Sequence, residues 1–167
     1  MAQASYLTIT ELREQYDLRL LQQLGSDSGA PLSGDPPTDS SGILANAIER
    51  GSSDVESHAL RGGRYTATEL VDLATADDWT LKSLVADLAM GHLFMRRGGT
   101  APPAIENRIE QAKRDLEDLR DGREIFNSAP HQTAGKAKIV VIPAQDRARL
   151  NLVSDLPYFP HRRTRVI

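Results

Sequence analysis

The sequence contains no cysteine. A disulfide scaffold, a thiolate zinc site and a cysteine nucleophile are therefore excluded. Aromatic residues make up only 5% of the chain against 40% hydrophobic residues in all, so aliphatic side chains and alanine have to fill its core. The opening MAQASYLTITEL lacks the basic start and apolar stretch of a signal peptide. No apolar run is long and uninterrupted enough to span a bilayer, and the expectation is a protein made and kept in the cytoplasm, or in something assembled there, without a membrane partner.

Catalytic spacings are lacking too. His58, His92, His131 and His161 are far apart and fit no H-E-x-x-H or H-x₃₋₅-H pattern. His92 falls inside a helical stretch near Asp87 and Leu88, where a hydrogen-bonded structural histidine is expected. No G-x-S-x-G elbow follows a strand, and the glycine pairs at 62–63 and 98–99 precede no G-K-[ST]. Asp77 and Asp78 stand directly before a helix, where caps are a simpler reading than a metal pair. The expectation is a protein that is not an enzyme and that binds no metal or cofactor.

What is present is helical periodicity. At 167 residues the chain can build one ordinary core. Trp79 to Arg97, WTLKSLVADLAMGHLFMRR, places Leu81, Leu84, Val85, Leu88, Leu93 and Met95 at helical spacing. Ala86, Ala89, Met90 and Phe94 widen the stripe until Lys82, Ser83, Asp87 and Gly91 mark the polar side. A helix apolar around most of its circumference belongs at the centre of a bundle. Asp77 or Asp78 caps its start, and Arg96-Arg97-Gly98-Gly99 supplies cations and a glycine stop at its end.

Before it, Thr8 and Glu11 have capping-box spacing and open a first helix whose face is Leu12, Tyr16, Leu20 or Leu21, and Leu24, ending at Gly25. Residues 26–42 are turn and breaker residues, an exposed loop poorly suited to a site. Ser40 or Ser41 caps a second helix with Leu44, Ala47, Ile48, Val55 and Ala59 on one face. Its Gly51-Ser52-Ser53 allows a close crossing with the central helix. Thr68–Leu73 reads as a short helical turn. After Pro102-Pro103, the residues Ile105, Ile109, Ala112, Leu116 and Leu119 form the most regular seam of the chain. Glu124-Ile125-Phe126 returns a short apolar anchor.

Charge is divided unevenly. Residues 1–135 hold 13 Lys+Arg and 21 Asp+Glu, net −8, whereas residues 136–167 hold 7 and 2, net +5. The fold class expected is all-α: a small bundle of about four main helices over residues 1–127, followed by an extended basic arm at 128–167. Within the arm, Lys138-Ile139-Val140-Val141-Ile142 is a short β-strand candidate with no partner strand in the chain, suited to pairing with another subunit. Arg147, Arg149, Arg162, Arg163 and Arg165 can contact phosphates while Tyr158 and Phe159 stack on bases. The same residues can equally form a docking arm, with Tyr158-Phe159-Pro160 as anchor and the arginines as rim, or a solubilising tail. The docking arm is the preferred of the three, and a helical nucleic-acid-binding protein is the alternative.

The order of these features resembles the head–tail connector (adaptor) proteins of tailed phages, particularly the small family found in Mu-like prophages. The matching pieces are Tyr6-Leu7-Thr8-Ile9-Thr10-Glu11-Leu12 and the second helix running out into Gly63-Arg64-Tyr65. They continue with an apolar helix ending Leu93-Phe94-Met95-Arg96-Arg97, and with Ala112-x-x-x-Leu116-x-x-Leu119-x-x-Gly122-x-x-x-Phe126. Together they cover about residues 5–127. The resemblance implies a structural protein of the neck of a virion or phage-like particle, assembled in the host cytoplasm, that forms a ring, commonly of twelve subunits. Implied partners are the portal protein, a tail-side neck or tail terminator protein, and DNA that passes through the channel without sequence-specific binding. Gly63, Arg64 and Tyr65 carry over as a structural corner. The 26–42 loop and the long arm depart from the shorter family pattern.

Overall fold

In the computed structural model, which describes residues 5–27 and 30–126, all regular structure is helical. Six helices follow one another: α1 (Ile9–Gln15), α2 (Leu18–Leu24), α3 (Ile43–Gly62), α4 (Ala67–Thr75), α5 (Trp79–Arg97) and α6 (Pro103–Arg120). The expected four main helices thus become six among the described residues. The strand expected at Lys138–Ile142 lies outside them.

The two additional helices have local causes. The apolar spacing Leu12, Tyr16, Leu20 reads as one helix, but Tyr16 is extended (φ −131°, ψ 153°) and breaks it. Asp17 then accepts hydrogen bonds from the amides of Arg19 and Leu20 and starts α2 as its N-cap. The second correction concerns Thr68–Leu73, which is part of a full helix. Thr66 and Glu69 form a complete capping box, as Thr8 and Glu11 do for α1. At the start of α3, neither Ser40 nor Ser41 is the cap. Gly42 occupies that position, and the Asp39 carboxylate accepts from the amides of Ile43 and Ala45.

Helix α5 is the centre, packed against α3 and α6 and flanked by α1, α2 and α4. Leu81, Val85, Ala86, Ala89 and Met90 are fully enclosed. Each leucine buried in this way contributes about 2 kcal/mol of transfer free energy. Asp78 caps the helix and Gly98 ends it, as the sequence indicates. The expected polar side is not exposed, however: Lys82, Asp87 and Gly91 are all buried. The seam of α6 packs as read, with Ile109, Ala112, Leu116 and Leu119 buried and Ile105 partly so.

Close backbone approach fixes how α3 sits. A Cβ at Gly51 would lie 2.9 Å from the Val85 carbonyl oxygen and 3.3 Å from the Ala89 nitrogen, so the α3–α5 crossing requires glycine. At the other end of α3, a Cβ on Gly62 would fall on the Leu119 carbonyl of α6. The described residues of the 26–42 loop are largely exposed but held to the body: the Leu32 amide donates to the Gln22 carbonyl, Arg13 pairs with Asp35 at 3.0 Å, and Leu32 packs on the core.

Gly62→Ala should cost about 1–3 kcal/mol in chemical denaturation, because overpacking against backbone exceeds the roughly 1 kcal/mol that alanine gains in helix propensity. Gly99→Ala, where a Cβ would meet nothing within 4 Å, should lie within about 0.5 kcal/mol of the parent. A stabilised Gly62→Ala protein would rule out the close approach.

Candidate functional site

The helix α3 ends at Gly63, whose φ of 68° is a left-handed conformation that a side chain resists. The turn this permits sends Arg64 outward and Tyr65 inward. Arg64 forms an ion pair with Glu124. Tyr65 is buried, and its hydroxyl accepts from the amides of Ile125 and Phe126, both at 3.2 Å, while donating to the Phe126 carbonyl at 3.4 Å. The Tyr65 and Phe126 rings pack with centroids 5.2 Å apart, and Phe126 is fully buried. The corner read from Gly63-Arg64-Tyr65 therefore clasps the segment after α6, and the apolar anchor expected at Glu124–Phe126 is in place. The other site residues read from sequence (Lys138, Ile139, Val140, Val141, Ile142, Tyr158, Phe159, Arg162, Arg163 and Arg165) lie outside the described residues.

Sequence reasoning passed over two charged clusters. In the first, the Tyr16 hydroxyl donates to Asp87 of α5, and Arg108 of α6 reaches the same carboxylate oxygen at 2.7 Å. The Arg108 guanidinium also lies over the Tyr16 ring, 4.7 Å from its centroid. Burial, and then the hydrogen bond to Asp87, push the Tyr16 hydroxyl pKa well above its ordinary value. A carboxylate in an otherwise apolar helix is thus neutralised by the break between α1 and α2 on one side and by α6 on the other. The signal was Asp87 itself, a charge in the middle of an apolar helix.

In the second cluster, Lys82 pairs with Asp77 and Glu11. Asp77 has a φ of 63°, an unusual conformation for a residue with a side chain and one that aspartate tolerates better than most. Burial alone would raise the Glu11 pKa, but hydrogen bonds from Lys82 and Thr8, with the Lys82 charge, outweigh it and lower it. Hydrogen bonds to Asp77 and Glu11 raise the Lys82 pKa. His92 is hydrogen-bonded as expected, but its partner is Asp54 of α3, at 2.9 Å.

These groups tie separate parts of the chain to one another. Among the described residues no three His, Asp or Glu side chains are grouped to hold a metal ion, and no helix is long and apolar enough to cross a membrane. A surface groove of about 330 Å³ lies between the lead into α1 and the start of α3, lined by Leu7, Ile9, Ala45, Ile48 and Glu49 among others. Its one charged group is Glu49. No family model, curated protein or solved structure matches the chain.

Tyr6 is also buried, and burial followed by the nearby Glu56 charge pushes its pKa up from 10 to about 12. The folded state holds the protons of Tyr6, Tyr16 and Lys82 more tightly than the unfolded chain does. The contribution of Tyr6 is complete below pH 10 and is lost as the pH rises through about 12, and those of Tyr16 and Lys82, also raised, are likewise lost on the alkaline side. Glu11, with its lowered value, contributes above pH 4.5 and loses that contribution in acid. Melting temperature should accordingly fall on both limbs, and Tyr6→Phe should remove part of the alkaline fall. Tyrosinate absorbance from Tyr6 and Tyr16 should appear at higher pH in the folded protein than in the unfolded chain.

Proposed function

We propose that this chain is a head–tail connector of a tailed phage or phage-like particle, a structural protein that forms a ring beneath the portal and extends the DNA channel towards the tail. The observation that carries this reading is the corner at the end of α3. Gly63-Arg64-Tyr65 and Phe126, pieces of the resemblance that are distant in sequence, meet there in one interlocked contact. The helical body, net acidic, makes the lateral contacts of the ring, commonly of twelve subunits. The arm at 128–167 engages a neighbour or the portal, with Lys138–Ile142 adding a strand to it and Tyr158, Phe159, Arg162, Arg163 and Arg165 docking. A tail-side neck or tail terminator protein completes the junction, and DNA passes through without sequence-specific binding. The charge clusters that join helix to helix suit a scaffold that must keep its shape under load.

Light scattering and negative-stain imaging of the purified protein, alone and with its portal, test the reading. A ring, free or only on the portal, is the expected result. A monomer that ignores the portal overturns it. Deleting residues 128–167 should weaken ring formation or portal binding at least tenfold. Steeply salt-dependent binding to DNA by a monomer would instead mark a nucleic-acid-binding protein.

A further inference from the structure

The largest exposed apolar side chain among the described residues is Trp79, the chain's single tryptophan, 64% exposed on the first turn of α5. Val71 of α4 is 42% exposed. The end of α4 and the start of α5 form one corner, because the Asp77 amide donates to the Ala74 carbonyl at 3.3 Å and the Asp78 amide to the Leu73 carbonyl at 3.0 Å. From Tyr65 to Leu81 the sequence holds Glu69, Asp72, Asp77 and Asp78 and no lysine or arginine. Glu69 and Asp78 are engaged in caps and Asp77 with Lys82. Asp72 is exposed, with no ion pair among the described residues. The corner therefore offers an exposed indole in a stretch of negative charge.

We propose that this corner receives the arm of a second copy of the chain, through residues 156–165, so that copies join head to tail. The proposal rests on the connector reading, and charge complementarity identifies the occupant. Residues 156–167, LPYFPHRRTRVI, carry Arg162, Arg163 and Arg165 and no acidic residue. A guanidinium stacks on an indole face, and proline rings pack against exposed aromatics. A closed ring needs two unlike patches that fit each other, so that every copy gives one and receives one. An acidic corner with an exposed indole and a basic segment with prolines and aromatics are such a pair. Exposed aromatic anchors edged by charge are where interface energy concentrates.

The test is a mixing experiment with two full-length variants. The face variant carries Trp79→Ala and Asp72→Lys; the arm variant carries Arg162→Gln, Arg163→Gln and Arg165→Gln. Each alone should keep its far-UV helical signal and lose self-association, or assembly on the portal, at least tenfold. Mixed, they retain one intact junction, from the arm of the face variant to the corner of the arm variant. The expected product is a heterodimer that grows no further. Trp79 of the arm variant is then the only indole present, and its emission should shift to shorter wavelength on mixing. Rings that persist in either variant overturn the proposal while leaving the connector reading standing. Failure to pair on mixing, or an arm that covers Trp79 within its own chain, overturns it as well. Parent protein that neither self-associates nor binds the portal brings down the connector reading itself.

Discussion

Where α3 crosses α5, Gly51 has no side chain, and the Val85 carbonyl stands 2.9 Å from the place a Cβ would take. Two helix backbones can approach this closely only at such a point, and the approach sets which residues of α3 face which residues of α5. Val55 and Ala59, on the turns after Gly51, are then fully buried, and Asp54 comes within hydrogen-bond distance of His92. Near its far end α3 is fixed again, at Gly62, by the α6 backbone. Two points of backbone contact determine the placement of a rod, and the short helices α1, α2 and α4 fill the space that remains.

Buried charge then restricts the alternatives. An all-aliphatic helix such as α5 could slide or rotate against its neighbours at little cost, since one leucine packs much like another. Asp87 and Lys82 remove that freedom. Moving α5 by one turn would leave Asp87 without Tyr16 and Arg108, and Lys82 without Glu11, and an unpartnered buried charge costs several kcal/mol. Glu11 serves twice, closing the capping box of α1 and pairing with Lys82, so the start of the first helix is tied to the central one.

The parts of the fold that were legible in the sequence are those governed by local rules. Apolar spacing located α5 and the seam of α6, and Gly51 announced a close crossing. The break at Tyr16 was hidden because the apolar spacing runs through it without interruption; only Asp17, a capping residue, marks it. Thr66 and Glu69 have the same spacing as Thr8 and Glu11 and could have identified α4 by the same rule. Lys82 and Asp87 read as a polar side because Glu11, Asp77, Tyr16 and Arg108, which engage them, all lie outside α5, and periodicity within one helix carries no information about those. The Gly63-Arg64-Tyr65 corner was found by resemblance, but its clasp on Ile125 and Phe126 depends on a contact across the bundle.

The ends of α2 and α5 meet. Arg96 donates to the Leu24 carbonyl and pairs with Asp27, while Arg97 donates to the Ser26 carbonyl. Each helix presents its negative pole there, and two like poles side by side would repel. The paired guanidinium groups serve as a shared counter-ion, fixed in place by the chain itself. A mobile salt ion in that position would have to be recruited from solution, whereas a built-in one is carried to the two helix ends by the fold itself.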